Sequence, residues 1–347
     1  MAGKGRTMRK VTRGLALLMV CAFSAGALAD ELLMKNGSRI IGTLKNSVDG
    51  KVEFETEFAG TISVDADDIE TAFTDGEVTV MLNDGRVIEN QRIATAGDEM
   101  VVMSAENEAI VFDVEDVGQL NPEPWQLGRG YKWFGDARIA LLLERGNTET
   151  DELRGSANST WRSLKDRYSI AASYEYDEAN GVRSKNKWRW RNKYDRFTAN
   201  SDNYFGVLLG FEGDEFIDLD LRTTFGPYIG RQFLETKLLS VRGEVGLVYV
   251  DEQYDVQEDN DYPGANWGLH LTSDYFGGDS TFYVDHDGIL NFDETDALVL
   301  NTTIGISFPL VYGLEAGLEI KYEYDGGVAD EVEDLDETYN FVVGYSW

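Results

Sequence analysis

The chain has 347 residues, with 63 acidic against 31 basic side chains and a net charge of −32. Such a surface repels phosphate backbones, which argues against nucleic acid as a partner, and it attracts cations. Thirty-six glycines, a 12% aromatic share and five prolines fit many short strands better than helices.

The amino terminus reads as an export signal. Lys4, Arg6, Arg9, Lys10 and Arg13 form a positive region, Gly14 to Phe23 is apolar, and Ala27-Leu28-Ala29 supplies the small residues that signal peptidase needs. Residues 1–29 are therefore a predicted signal peptide, cut after Ala29. The apolar core is too short for a spanning helix, and no other stretch approaches the roughly 18 apolar residues of one. Cys21 is the only cysteine. Val20 stands where a lipoprotein signal wants a small residue, so Cys21 is expected to leave with the signal. The mature chain then has no disulfide, thiolate metal site or thiol nucleophile.

Residues 30–120 contain a repeat. Met34-Lys35-Asn36-Gly37-Ser38-Arg39-Ile40 aligns with Leu82-Asn83-Asp84-Gly85-Arg86-Val87-Ile88 at an offset of 48 residues. The same offset pairs Phe54 with Val102, Ile62 with Ile110, Val64 with Phe112, Asp65 with Asp113 and Ile69 with Val117. Asn36-Gly37 and Asp84-Gly85 suggest type I′ hairpin turns, which need φ > 0 at both residues. Two small SH3- or Sm-like β-modules follow, forming a periplasmic domain that serves for docking or as a spacer or plug. Histidine and cysteine are absent here, so no catalytic constellation is expected. Residues 121–132, with Asn121-Pro122-Glu123-Pro124, read as a linker.

From residue 133 to 347 the alternation lengthens, and a transmembrane antiparallel β-barrel of about twelve strands is expected. The strands centre on 136–145, 150–163, 167–177, 184–195, 203–212, 219–231, 238–250, 265–275, 280–290, 297–308, 314–324 and 338–347. About ten residues per strand is membrane-spanning length. Short connections (Lys165-Asp166, Phe276 to Asp279, Pro309 to Gly313) alternate with longer acidic ones. The acidic set holds Asp214, Glu215 and Asp218, then Asp251 to Asp261, then Asp330 to Glu337. Short periplasmic turns and long outer loops suit an outer-membrane barrel of a Gram-negative bacterium, and an even strand number returns both ends to the periplasm. Tyr339, Phe341, Val343, Tyr345 and Trp347 alternate up to an aromatic carboxyl terminus. That pattern resembles the signal read by the barrel assembly machinery, because an edge strand with one apolar face is open to strand addition.

The chain also resembles the family of salt-induced outer-membrane proteins, a bacterial domain family of unknown function. The resemblance rests on Lys35-Asn36-Gly37 with Ile41-Gly42, on Gly146-Asn147-Thr148, and most on the run Phe211-Glu212-Gly213-Asp214-Glu215-Phe216-Ile217-Asp218-Leu219-Asp220-Leu221-Arg222-Thr223. It implies a barrel with an amino-terminal extension and supplies no catalytic residue and no cofactor.

Three functions compete. In a pore, Lys185, Lys187, Arg189, Arg191 and Lys193 line the lumen, while Trp188, Trp190 and Tyr194 face lipid. Arg154 and Arg162 point inward two strands away, and Glu315, Glu319 and Glu323 form an acidic wall nearly opposite. In a closed lumen the basic ladder pairs instead with Glu175 and Asp177. A hydrolase would need His270 or His286 as base; His270 is expected inward near Ser273, and His286 at a strand end, without triad spacing. An enzyme is therefore not expected. The third function is a structural or interaction barrel of the envelope salt or stress response. Its acidic loops would bind divalent cations weakly and bridge to lipopolysaccharide. They lack the order of an EF-hand, so no metal site is assigned.

Overall fold

The computed structural model describes residues 29–347, apart from 49, 97–98, 104–108, 145–148, 199–201, 237, 276–279 and 327–333. The basic and apolar parts of the signal segment, Gly146-Asn147-Thr148, Phe276 to Asp279, Asp330, Glu331 and Glu333 lie outside the described residues. The chain divides into Met1–Glu123 and Pro124–Trp347, inside the stretch read as a linker. No described helix is long and apolar enough to cross a membrane.

The first unit holds ten strands: β1 (Asp30–Met34), β2 (Arg39–Val48), β3 (Lys51–Thr56), β4 (Gly60–Asp65), β5 (Ile69–Phe73), β6 (Val78–Leu82), β7 (Val87–Ala96), β8 (Glu99–Met103), β9 (Ala109–Asp113) and β10 (Val117–Leu120). β1–β5 and β6–β10 are the two repeats, each with a 3-10 turn before its last strand. They are not separate modules. β5 pairs mainly with β1 and β10 with β6, each inside its own repeat, but β10 also meets β2 at Leu120 and Ser47, and β5 meets β7 at Phe73 and Ala94, so the last strands join the two repeats into one sheet. The buried core mixes both repeats, and Leu32 with Val80 and Phe54 with Val102 occupy equivalent places. The turns differ from the type I′ expectation. Only Gly37 and Gly85 have positive φ there. Gly37 N donates to Met34 O, and Met34 N to Ser38 O, each at 2.8 Å. This is a type I turn followed by a left-handed glycine, and Asn36 accepts from Ser38 N to stabilise it.

The second unit is a closed antiparallel barrel of twelve strands, one for each segment read from the sequence. They are β11 (Lys132–Glu144), β12 (Thr150–Arg162), β13 (Asp166–Ala179), β14 (Val182–Phe197), β15 (Asn203–Asp214), β16 (Leu219–Glu235), β17 (Leu239–Tyr254), β18 (Asn260–Ser273), β19 (Thr281–Asn291), β20 (Leu298–Pro309), β21 (Leu314–Asp325) and β22 (Leu335–Ser346). A twelve-residue strand tilted by about 40° spans roughly 30 Å. Both ends of the barrel's chain lie at one rim, the terminal end; the opposite rim is the loop end.

The outer face is apolar, with Leu141, Ile229, Leu247 and Phe341 each more than half exposed. At the terminal end Trp347, Trp133, Trp161 and Tyr168 stack in a row, with successive ring centroids 5.7–6.3 Å apart. At the loop end, outward tyrosines reach carboxylates: Tyr249 to Asp261, Tyr176 to Glu178 and Tyr339 to Glu337. An apolar belt between two aromatic rims is the exterior a bilayer selects.

Two loop-end expectations need correction. Asn180-Gly181, with φ of 51° and 77°, is a two-residue type I′ turn at the loop end rather than a long loop. Asp214, Asp251, Glu252 and Asp261 belong to strands. β16 and β17 run longer than the alternation suggested, because Glu252 turns inward to meet Arg222 and continues the ladder.

Candidate functional site

The barrel interior is built by register. Position by position, Glu175 lies beside Lys187, Ser173 beside Arg189 and Ala171 beside Arg191. Small residues on β13 thus leave room for the long cations of β14. On the next strand Arg189 meets Glu212, and Glu212 meets Arg222. Lys185, Lys187, Arg189, Arg191 and Lys193 all point inward, and their side chains keep between 13% and 24% exposure.

These cations reach across the lumen. Arg189 donates to Glu212 at 2.8 Å and to Asn301 of β20 at 2.9 Å, and lies 3.5 Å from Glu323 of β21. Lys187 is 3.3 Å from Glu323. Arg191 donates to Asp287 of β19 at 3.0 Å. Lys193 pairs with Glu244 of β17, and Lys185 with Glu175 at 3.1 Å and Asp336 at 3.4 Å. Arg222 of β16 bonds Glu252 at 2.5 Å and crosses to Asp325 at 2.9 Å. One pair runs the opposite way: Lys321, on the acidic strand, donates to Glu175 at 2.8 Å. Charges this close satisfy one another in a confined, poorly screened space, and their mutual geometry then fixes the lumen's shape.

Between the crossing pairs lies a cavity of about 60 Å³, lined by Arg191, Lys193, Glu244, Asn266, His270 and Asp287 among others. A second cavity, of about 40 Å³, opens among Lys187, Asp214, Glu323, Asp325, Asp334 and Asp336. The lumen is not uniformly filled. On the β13–β17 wall Arg167, Asp195, Tyr204, Tyr228 and Glu244 are buried. Asp285, on β19 two strands beyond that wall, is 55% exposed.

Inward glycines make the buried wall possible. Tyr228 lies over Gly206 and Tyr204 over Gly230, in space that a Cβ would occupy. Their hydroxyls reach Asp195 and Glu244. Tyr283 lies over Gly305 and donates to Glu319 at 2.6 Å. A ring laid flat over a glycine covers exposed backbone and brings its hydroxyl to a carboxylate.

The residues read from the sequence are brought together unevenly. Of the acidic wall, only Glu323 meets the basic ladder. Glu319 faces Tyr283 and Arg138, and Glu315 accepts from Ser346. Arg154 pairs locally with Asp177 at 2.7 Å and with Glu152. Arg162 stacks 3.6 Å above Phe197 at the terminal end, with Trp125 on a further side at 5.7 Å. Thus of the closed-lumen partners Glu175 takes Lys185, while Asp177 is held by Arg154. Tyr339, Phe341, Val343, Tyr345 and Trp347 lie along the outer face.

Among the described residues neither histidine bonds a serine. His270 faces inward and shares a 2.7 Å hydrogen bond with Asp285, but Ser273 is three residues along and therefore on the opposite face. His286 sits in the middle of β19, not at its end, and faces outward, since its register partners Leu269 and Thr302 do. There it accepts from Trp267 Nε1 at 3.0 Å and bonds Thr302 at 2.9 Å. Among the described residues no group of three His, Cys, Asp or Glu could hold a metal ion.

The sequence reading missed Asp287, Glu212, Glu244, Arg222, Asn301 and Lys321. The signal was present for two of them: Glu212 and Arg222 stand in the run Phe211 to Thr223. In the structure that run makes the turn between β15 and β16, where Asp214 accepts from Phe216 N and Asp218, at φ 61°, accepts from Val256 N and Gln257 N.

Several solved structures are similar to the chain at low identity and low TM-score. The NanC porin is 15% identical with a TM-score of 0.38, the match covering 61% of this chain and 98% of that one. The KdgM porin is 11% identical with a TM-score of 0.34, covering 62% and 99%. The outer-membrane channel DcaP of Acinetobacter baumannii is 9% identical with a TM-score of 0.29, covering 92% and 94%. At these identities and scores the likeness assigns neither substrate nor activity. No curated protein matches the chain. The family described as "Protein of unknown function, DUF481" matches residues 137–347, more than half of the chain and nearly the whole barrel. The chain belongs to that family.

Proposed function

We propose that this protein is a bacterial outer-membrane barrel forming a narrow passage for ions and small polar solutes, constricted at mid-height by ion pairs between opposite walls. The observation that carries this reading is the meeting of Arg189 with Glu323 and Asn301, and of Arg191 with Asp287, across the lumen. Charged groups that keep partial exposure, with Asp285 half open beside them, describe a wetted interior rather than a dry core. Such a layer passes small hydrated ions when its pairs part, and it stops larger solutes.

The membrane placement is supported by the apolar belt, the aromatic rims and the absence of a compensating apolar interior. Both ends of an even-stranded barrel lie on one side, so residues 30–120 belong in the periplasm and the loop end faces outward, toward lipopolysaccharide. Tyr339 to Trp347 serve as the assembly signal for the barrel assembly machinery. The acidic loop-end mouth attracts divalent cations weakly.

A second reading draws on the same ion pairs. If they never part, the barrel is a closed structural or interaction protein of the envelope's salt response. Conductance of the purified full chain in a planar bilayer separates the two. The passage reading expects small steps from the wild type and larger ones from the Glu323→Gln/Asp287→Asn variant, which removes both acidic anchors. Bare-lipid conductance from both proteins would leave the closed barrel.

A further inference from the structure

The β11–β22 seam differs from every other pairing in the barrel. The other neighbours pair over ten residues or more. β11 and β22 pair over four, Asp136–Ile139 with Val343–Ser346. At the terminal end Gly135 and Trp347 add two mutual backbone hydrogen bonds, of 3.1 and 3.0 Å. Toward the loop end Ala140–Leu143 of β11 pair along the ladder with β12 alone, and Leu335–Val342 of β22 with β21 alone. Two free strand edges therefore flank a gap that opens toward the loop end.

The residues at that gap break the barrel's pattern. Ile139-Ala140-Leu141-Leu142-Leu143 is apolar on both faces. Register sets Ala140 beside Arg154 and Leu142 beside Glu152, both inward positions. The interior wall is thus apolar next to the free edge, while most of its wider positions are charged or polar. Outside, Leu141, Leu143, Tyr339 and Phe341 carry the apolar belt up to the gap. Two buried donors stand near its inner edge without a hydrogen-bond partner: Arg154 Nε and Asn340 Nδ2. The seam register, continued, brings Asn340 opposite Leu142.

We propose that this gap is a lateral portal admitting an acyl chain of the surrounding lipid into the barrel interior, the tail lying along Ala140 and Leu142. An added peptide strand would be expected to find an interior of alternating polarity, whereas a hydrocarbon chain fits edges that are apolar on both sides. The portal rests on the membrane placement of the proposed function and not on conductance.

The test uses spin labels on single cysteines in the full chain, with Cys21 replaced by serine, in phosphatidylethanolamine–phosphatidylglycerol vesicles. Collision with oxygen reports an acyl environment, and collision with a nickel chelate reports water. Leu141→Cys, facing outward, should be oxygen-accessible. Leu142→Cys, facing inward, should approach that oxygen accessibility, whereas Ser156→Cys, inward on β12 beside the paired part of the seam, should not. Ala140→Cys is a second reporter should Leu142→Cys fail to fold. An inward label at Leu142 or Ala140 with the low oxygen accessibility of Ser156→Cys would overturn the portal. Low oxygen accessibility at Leu141→Cys itself would instead overturn the membrane placement.

Discussion

The two units use one sequence pattern in opposite senses. In the first, alternate residues such as Leu32, Phe54, Val80 and Val102 turn inward and are almost wholly buried, while charges face out. In the barrel, alternate residues such as Ile229, Leu247 and Phe341 face out, and Arg189, Glu212 and Arg222 face in. Period-2 alternation separates two faces and does not say which one is covered. Strand length and closure decide that. Strands of four to ten residues join into one sheet and pack over a shared apolar core. Strands of eleven to seventeen close on themselves and leave the apolar face outside.

The sharpest break in this comparison comes from the carboxyl terminus. Deleting Tyr345 to Trp347 removes two of the four β11–β22 pairs and both Gly135 bonds. Without those contacts the barrel should fail to close, and outer-membrane insertion should be lost, while the first unit still folds. Fractionation of cells with a protease-protection assay reads this. The truncated chain found inserted at normal levels would contradict it.

Next come the two interiors. Arg222→Met leaves Glu252, Glu212 and Asp325 without their shared cation. It should lower barrel stability by about 3–5 kcal/mol, the usual cost of orphaning a buried charge. Phe54→Ala should cost the first unit about 3–5 kcal/mol through lost burial and a residual cavity. Denaturant unfolding of the full chain in detergent, followed by separate probes on each unit, should show each change moving one transition only. A shared shift of both transitions would mean that the units unfold together.

How much of this was legible in advance follows the same division. The twelve strands and their facing were readable because lipid outside and charge inside give strict alternation over membrane length. The joining of the repeats through β5 and β10 was not readable, because each rests on a single pair, Phe73 with Ala94 and Leu120 with Ser47, between strands far apart in sequence. The ladder Lys185 to Lys193 announced itself by five cations on one face. Of its partners Glu323 was legible as part of the opposite acidic wall, but Asp287 and Glu244 were not, because they come from strands far apart in sequence and only closure of the ring brings them to the ladder. Lys321 was hidden among glutamates on its own strand. The inward tyrosines Tyr204, Tyr228 and Tyr283 looked like ordinary strand aromatics until their facing glycines were known.

The smallest effect is expected at the first unit's surface. The backbone N–H and guanidinium of Arg86 hold the exposed Asp84 carboxyl below its ordinary 3.8. A lowered folded-state value means that this contribution is full above the unfolded value and is lost as pH falls through the folded one. Asp84→Asn should therefore flatten a slight acid dependence of the first unit's stability below about pH 4 and change little at neutrality. An equal acid dependence with and without Asp84 would assign that dependence to other groups.

The most direct test of the constricted lumen is the ion selectivity of the full chain in a planar bilayer after charge reversal at Lys187, Arg189 and Arg191. Replacing all three by glutamate sets them against Glu212, Glu323 and Asp287 and forces the crossing layer apart. Conductance should rise and selectivity should move strongly toward cations. The shift should shrink at 1 M salt, where the screening length falls to about 3 Å. Conductance that stays at the bare-lipid level, or that opens without any change of selectivity, would contradict a lumen gated by these pairs.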